Sequence, residues 1–240
     1  DGCAIATRLW EACSPMRNVD GTSAILLTVD VVILTLRDSS LHVLLVQRRA
    51  PPFAGQWAIP GGLVQSNESL EEGARRTLYE RTGIQNVPLE QLHTFDDLDR
   101  DPRGRVVTVA YCAVVPAPLA AHAGRNAADV CWQPVRMLPE MAFDHAKIVQ
   151  FAVQRLRQKL AHSAIGFQLL PERFTLSQLQ RAYEAVLGES LDKRNFRRRI
   201  LQAGVIEPTG EVLFGDGRPA RLYRCIPSAV AEVKPRRVFP

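Results

Sequence analysis

Between Trp57 and Ile84 the chain carries a Gly-rich turn followed by a helix with both of its ends signalled, and few folds accommodate that combination. After Trp57-Ala58-Ile59-Pro60-Gly61-Gly62, Ser69 serves as an N-cap, Glu72 completes a capping box and Gly83 stops the helix. Leu70, Ala74 and Leu78 give that helix one apolar face. Upstream, residues 25–36 and 41–46 are apolar, β-branched-rich runs separated by Arg37-Asp38-Ser39-Ser40, a pattern that predicts a β-hairpin. Downstream, residues 105–115 and 130–135 read as strands, and residues 144–161 as a helix burying Ile148, Phe151 and Leu156. This mixture predicts an α+β fold.

Gly62, Glu68, Arg76, Leu78, Glu80, Gly83 and Ile84 stand at set intervals. Together they resemble the Nudix box, G-x5-E-x7-R-E-U-x-E-E-x-G-U with U aliphatic, and the Trp57 to Gly62 run resembles the loop leading into it. The resemblance implies an N-terminal Nudix fold, a mixed β-sheet sandwiched by helices. In working enzymes the box helix presents three carboxylates at i, i+3 and i+4, which gather the divalent cations that polarise a diphosphate and activate water. Here those positions hold Thr77, Glu80 and Arg81, so the face changes from three negative charges to none net. Mg²⁺ needs oxygen ligands and is repelled by a fixed guanidinium. The expectation is a domain without catalytic residues, bound metal or cofactor. The alternative is an active ADP-ribose-type pyrophosphatase in which Glu68, Glu71 or Glu72 rescues metal binding.

If hydrolysis is lost, Arg81 becomes a candidate counter-charge for a bound pyrophosphate, because a guanidinium pairs well with phosphate oxygens. Glu80 stands beside it. Arg48 and Arg49 end a strand next to the Gly-rich loop, Phe53 offers a ring to a base, and Arg103 and Arg105 flank a turn that faces the same region in the family's fold. Each of these is also what a solvated strand end or a surface ion pair looks like.

Charge divides the chain in two. Residues 1–170 carry 17 Lys+Arg and 17 Asp+Glu, whereas residues 171–240 carry 13 against 8, so the whole excess of +5 sits in the last seventy residues. That asymmetry points to a polyanion partner there. In the same region Thr175 and Gln178 form a second capping box, Phe174 is placed to staple onto Leu179, and Leu176, Leu179, Tyr183, Val186 and Leu187 make a stripe ended by Gly188. A further helix begins after Asp192 and stops at Gly204, with Leu191 placed to staple onto Phe196. Phe196, Ile200 and Ala203 face one way, and Arg194, Asn195 and Arg198 the other, flanked by Lys193 and Arg197.

A short helix, a tight turn and a basic amphipathic helix predict a helix-turn-helix whose second helix enters the major groove. Arg and Asn suit guanine and adenine edges, and the remaining cations suit phosphates. Strand-like pieces at 205–206, 212–214 and 222–223 around Gly215-Asp216-Gly217-Arg218-Pro219 suggest a wing with Arg218 and Arg221 near its tip. A protein-interaction winged helix is the competing reading. Arg194, Arg197, Arg198 and Arg199 fall within six residues, a self-repelling cluster that favours duplex DNA.

These segments divide the chain into an extension over 1–20, expected to be disordered, a Nudix-like sensing domain over 21–162, a winged helix-turn-helix domain over 163–228, and a tail over 229–240. Residues 21–226 resemble the Nudix-related transcriptional regulators of bacterial NAD metabolism. The further matches are Asp101-Pro102-Arg103-Gly104-Arg105, Ala142-Phe143-Asp144-His145 and the run from Leu191 to Arg198. The resemblance implies a homodimer on a palindromic operator, repressing NAD synthesis or salvage genes and responding to ADP-ribose or a related nucleotide. Related fusions sense sugars instead. The five cysteines form no Cys-x-x-Cys pair, no apolar run is long enough to span a membrane, and residues 1–20 lack a signal-peptide pattern, so the expected location is the bacterial cytoplasm.

Overall fold

The structure, a computed structural model, describes residues 24–124, 127–160, 164–214 and 219–226. Within them lie two compact units, one drawn from residues 24–33, 43–113 and 120–150, the other from 34–42, 114–119 and 151–226. The expected boundary at residue 162, the extension 1–20, the tail 229–240 and Arg218 all fall outside the described residues.

The predicted hairpin is present as β1 (Leu26–Arg37) and β2 (Ser40–Arg48). Asp38 and Ser39 turn it with φ of 47° and 59°, the left-handed pair that a two-residue hairpin loop requires. Val31 to Leu34 and Val43 to Leu45 are fully buried, and such a continuous apolar run belongs to central strands covered on both faces. These strands enter a seven-stranded sheet with β3 (Trp57–Ala58), β4 (Gly61–Leu63), β5 (Glu90–Phe95), β6 (Val106–Val114) and β7 (Ala127–Pro134). The order is β3-β2-β1-β6-β5, with β4 also on β1 and β7 on β2. β5 was not legible as a strand because its residues are exposed or half-buried, with no apolar alternation.

Pairing of β4 with β1 sets Gly61 opposite Asp30 and Gly62 opposite Val29. A Cβ on Gly61 would lie 1.9 Å from Asp30 Oδ1, so the backbone approach there admits only glycine. Helix α1 (Leu70–Thr82) follows with the predicted ends: Glu72 N–H donates to Ser69 Oγ, Ser69 N–H donates to the Glu72 carboxylate, and Gly83 adopts φ 71°. Helix α2 (His145–Leu160) buries Ile148, Val149, Ala152, Val153, Leu156 and Leu160. Phe151, expected in that core, is only half-buried.

The second unit holds a 3-10 helix (Ala164–Leu169), β8 (Phe174–Thr175), α3 (Leu176–Leu187), α4 (Lys193–Gln202), β9 (Ile206–Leu213) and β10 (Ala220–Cys225). Its three strands pair in the order β8-β10-β9. Ile206 and Val212-Leu213, read as separate pieces, belong to one strand, β9, with Val205 and Phe214 just outside it; its pairing with β10 shifts register between Val212 and Pro208, where Gly210 adopts φ 82°. Thr175 and Gln178 form the expected capping box. Phe174, Leu179, Tyr183, Phe196 and Ile200 make the core, with the Tyr183 and Phe196 rings edge to face at 5.4 Å joining α3 to α4. Three expected core positions differ. Leu176 and Leu187 lie half-buried at the two ends of α3, and Ala203 is exposed because it caps α4, its N–H donating to Arg199 O. Among the described residues no helix is long and apolar enough to cross a membrane.

Candidate anion site and nucleic-acid interface

On α1 the carboxylates are already engaged. Arg76 gives Nε and Nη2 to Glu68 at 2.7 and 2.6 Å and Nη1 to Glu80 at 3.1 Å, so one guanidinium occupies both. Arg75 holds Glu71 at 2.7 Å, and Glu72 is taken up by the capping box. Thr77 is buried against Gly62, whose added Cβ would lie 3.1 Å from Thr77 Oγ1; among the described residues that hydroxyl has no hydrogen-bond partner. A divalent cation needs several converging oxygens, and this face supplies a buried hydroxyl, a paired Glu80 and the cation Arg81. The donor set does not fit a catalytic metal.

Cations converge nearby instead. Burial, then Arg103 and then Arg81 push the Arg48 pKa down to about 10, the mark of a guanidinium out of water among like charges. Burial likewise lowers Arg81, whose carbonyl accepts from Gly124 N–H at 2.9 Å. The guanidinium carbons of Arg48 and Arg103 lie 4.8 and 5.5 Å from the centre of the Phe143 ring, and Phe53 meets the same ring edge to face at 4.8 Å. Arg48 is oriented by donating to Pro52 O and Ala50 O, Arg103 by Asp101.

Of the seven predicted ligand residues, the structure gathers Arg48, Phe53 and Arg103 around Phe143, with Arg81 near enough to add to the lowering of Arg48. Arg49 is exposed beyond them, and Glu80 is tied to Arg76. Arg105 turns to the Asp96 carbonyl and lines an open depression of about 630 Å³ with Leu98, Asp101 and Gly104.

Beneath this cluster lies a charged network that the residue pattern did not disclose. Arg100 clasps Asp144 through Nε at 3.1 Å and Nη2 at 2.8 Å and reaches Asp30 at 3.5 Å, while Thr108 donates to Asp30 at 2.7 Å; all four are buried. Ile59 N–H donates to His145 Nδ1 at 3.2 Å, so Nδ1 is unprotonated and Nε2 faces Asp30 Oδ1 at 3.6 Å. Burial holds the His145 pKa below its ordinary value of 6.5; Asp30 and Asp144 pull the other way, and Arg100 and Arg48 add to the lowering. The native state then binds fewer protons than the unfolded chain just below that value. Stability from neutral His145 is complete above about pH 6.5 and is lost as pH falls toward the native pKa. The urea midpoint is expected to drop as pH falls below about 6.5, and His145→Asn to flatten that slope. Equal slopes in the two proteins would assign the loss to other groups.

In the second unit, α4 leaves Lys193, Arg194 and Arg198 exposed, with Arg198 donating to Asn195 Oδ1 at 2.9 Å. Arg221 is exposed on β10, opposite Val212. Arg197 departs from the predicted surface, since it is half-buried and donates to Ser177 of α3 at 3.2 Å. The turn before α4 is held by Gln180, which donates to Leu191 O at 2.9 Å, and by Glu184, which accepts from Leu191 N–H at 2.9 Å. These polar ties, not visible as a pattern, fix how the basic helix is presented.

Residues 26–151 match the NUDIX domain family and residues 166–225 match the NrtR DNA-binding winged helix domain. The chain is 37% identical over 203 residues to the ADPR responsive transcriptional repressor NtrR of Acinetobacter baylyi, spanning 83% of this chain and 81% of that protein. The crystal structure of Shewanella oneidensis NrtR complexed with a 27mer DNA is similar at a TM-score of 0.73 and 38% identity, over 85% of this chain and 95% of that one. The NUDIX domain of the same protein complexed with ADP ribose matches at a TM-score of 0.53 and 38% identity, over 62% of this chain and 97% of that one. With a degenerate box helix beside converging arginines in one part and a basic winged helix in the other, the chain belongs to the family of NrtR-type transcriptional regulators built from a NUDIX domain and a winged helix DNA-binding domain.

Proposed function

We propose that this protein is a bacterial cytoplasmic repressor that binds ADP-ribose in its Nudix domain without cleaving it and releases a palindromic operator in response. It acts as a homodimer, and its targets are genes of NAD synthesis or salvage. The observation that carries the reading is the convergence of Arg48, Arg81 and Arg103 beside a box helix whose carboxylates are paired with arginines. The same arrangement argues against hydrolysis: a fixed cation neutralises a diphosphate but does not generate a metal-bound hydroxide. The similarity to an ADPR responsive repressor and to a NUDIX domain crystallised with ADP ribose supports the choice of effector.

Coupling requires that ADP-ribose favour a dimer geometry in which the two α4 helices no longer match the half-site spacing. Calorimetric titration with ADP-ribose is expected to give the same affinity in EDTA and in Mg²⁺, and Arg81→Ala to weaken it about tenfold. A strict requirement for Mg²⁺, with AMP and ribose phosphate appearing, would instead assign the chain to the pyrophosphatases.

A further inference from the structure

Two aromatic residues at the cationic cluster hold backbone conformations that bulky side chains rarely adopt: Phe143 at φ 55° and Phe53 at φ 62°. Such conformations persist only where the surroundings over-determine them, and they concentrate at ligand clamps. Here the segment around Phe143 is pinned on both sides. Before it, Ala142 N–H donates to Trp57 O at 2.8 Å and Met141 bridges to Trp57 in parallel register. After it, Asp144 and His145 are locked into the buried network with Arg100, Asp30 and Ile59.

What this backbone presents is a ring shared by two like charges. Arg48 and Arg103 both lie over Phe143, although burial and then Arg103 depress the Arg48 pKa, with Asp101, the partner of Arg103, pulling the other way. An aromatic face steadies cations through its quadrupole, and with Arg103 already paired to Asp101 an anion carrying two phosphoryl groups would bridge the two guanidiniums and compensate Arg48. Val46, Ala58, Ala127 and Ala142 pack beneath the Phe53 and Phe143 pair, so the ring has little freedom to move away.

We propose that Phe143 is the positioning residue of a diphosphate site, its ring holding the Arg48 and Arg103 guanidiniums together so that one pyrophosphate group bridges them. The inference deepens the reading of this domain as a ligand sensor and rests on it for the site, but not for the identity of the nucleotide. It also distinguishes a diphosphate from a sugar, for which a paired cationic clamp offers little.

The test uses the full chain with inorganic pyrophosphate, ADP-ribose and adenosine as calorimetric probes, and compares Phe143→Leu with Phe143→Tyr. Leucine keeps an apolar side chain but loses the π face, whereas tyrosine keeps the face. Phe143→Leu is expected to weaken pyrophosphate and ADP-ribose by about tenfold, and Phe143→Tyr to remain within about twofold of the native protein. Equal loss in both variants would mean a purely structural role and would overturn the proposal, as would unchanged affinity in Phe143→Leu. Native protein that binds pyrophosphate but not ADP-ribose, with the leucine effect intact, would keep the site and discard the effector. Retained ADP-ribose binding with no leucine effect would do the reverse. Binding of neither anion would discard both.

Discussion

Replacing Arg194 and Arg198 together by alanine is expected to weaken operator binding by about a hundredfold or more, since an arginine seated on a base edge is worth about 1–3 kcal/mol. Both side chains are exposed on α4, and Asn195 braces Arg198 at 2.9 Å. A braced side chain loses less entropy on binding than a free one. Lys193→Ala and Arg221→Ala, by contrast, should weaken specific and non-specific duplexes alike and lower the salt slope, as phosphate contacts do. Arg197→Ala should act through presentation of the helix, because its guanidinium bonds Ser177 of α3. Anisotropy titrations with operator and scrambled duplexes at two salt concentrations separate these cases. Undiminished operator affinity in the double variant would move the interface off α4 and favour a protein partner for that surface.

Removing Arg100 is the largest expected blow to folding. Its guanidinium satisfies Asp144 twice and approaches Asp30, and both carboxylates are buried. Arg100→Ala leaves those charges without their cation, which costs about 3–5 kcal/mol where one partner of a buried ion pair is deleted. Thermal unfolding should shift down by about 10 °C. Arg100→Met combined with Asp144→Asn should recover part of the loss, because the penalty comes from the uncompensated charge rather than from the missing contact. Loss of less than about 1 kcal/mol in Arg100→Ala would mean that water reaches the network.

What could be read from the residues alone is explained by how local each signal is. The capping boxes at Ser69 and Thr175, the left-handed Gly83 and the hairpin turn at Asp38-Ser39 are written within a few residues, and the structure reproduces them. The exchange of box carboxylates for Thr77 and Arg81 was equally plain. Arg100 was not: it sits in a polar run, Asp97 to Arg105, that reads as an exposed loop, and only folding brings Asp144 from 44 residues away to bury it. Phe143 was visible only as part of a family match. Its role depends on Arg48 and Arg103 arriving from two other parts of the chain, and a positive φ at a phenylalanine leaves no trace in sequence. Arg197 failed for a similar reason, since α3 approaches closely enough to capture it.

If Arg48, Arg81 and Arg103 take a diphosphate where the box helix lacks its metal ligands, the protein should respond to it without consuming it. The decisive measurement is operator release: anisotropy of a labelled duplex from the protein's own upstream region, titrated with ADP-ribose in EDTA, with the nucleotide recovered and analysed afterwards. The duplex should dissociate as ADP-ribose rises and the nucleotide should come back intact, in Mg²⁺ as in EDTA. Release that appears only with Mg²⁺ and tracks the formation of AMP would show that turnover, not occupancy, is the signal.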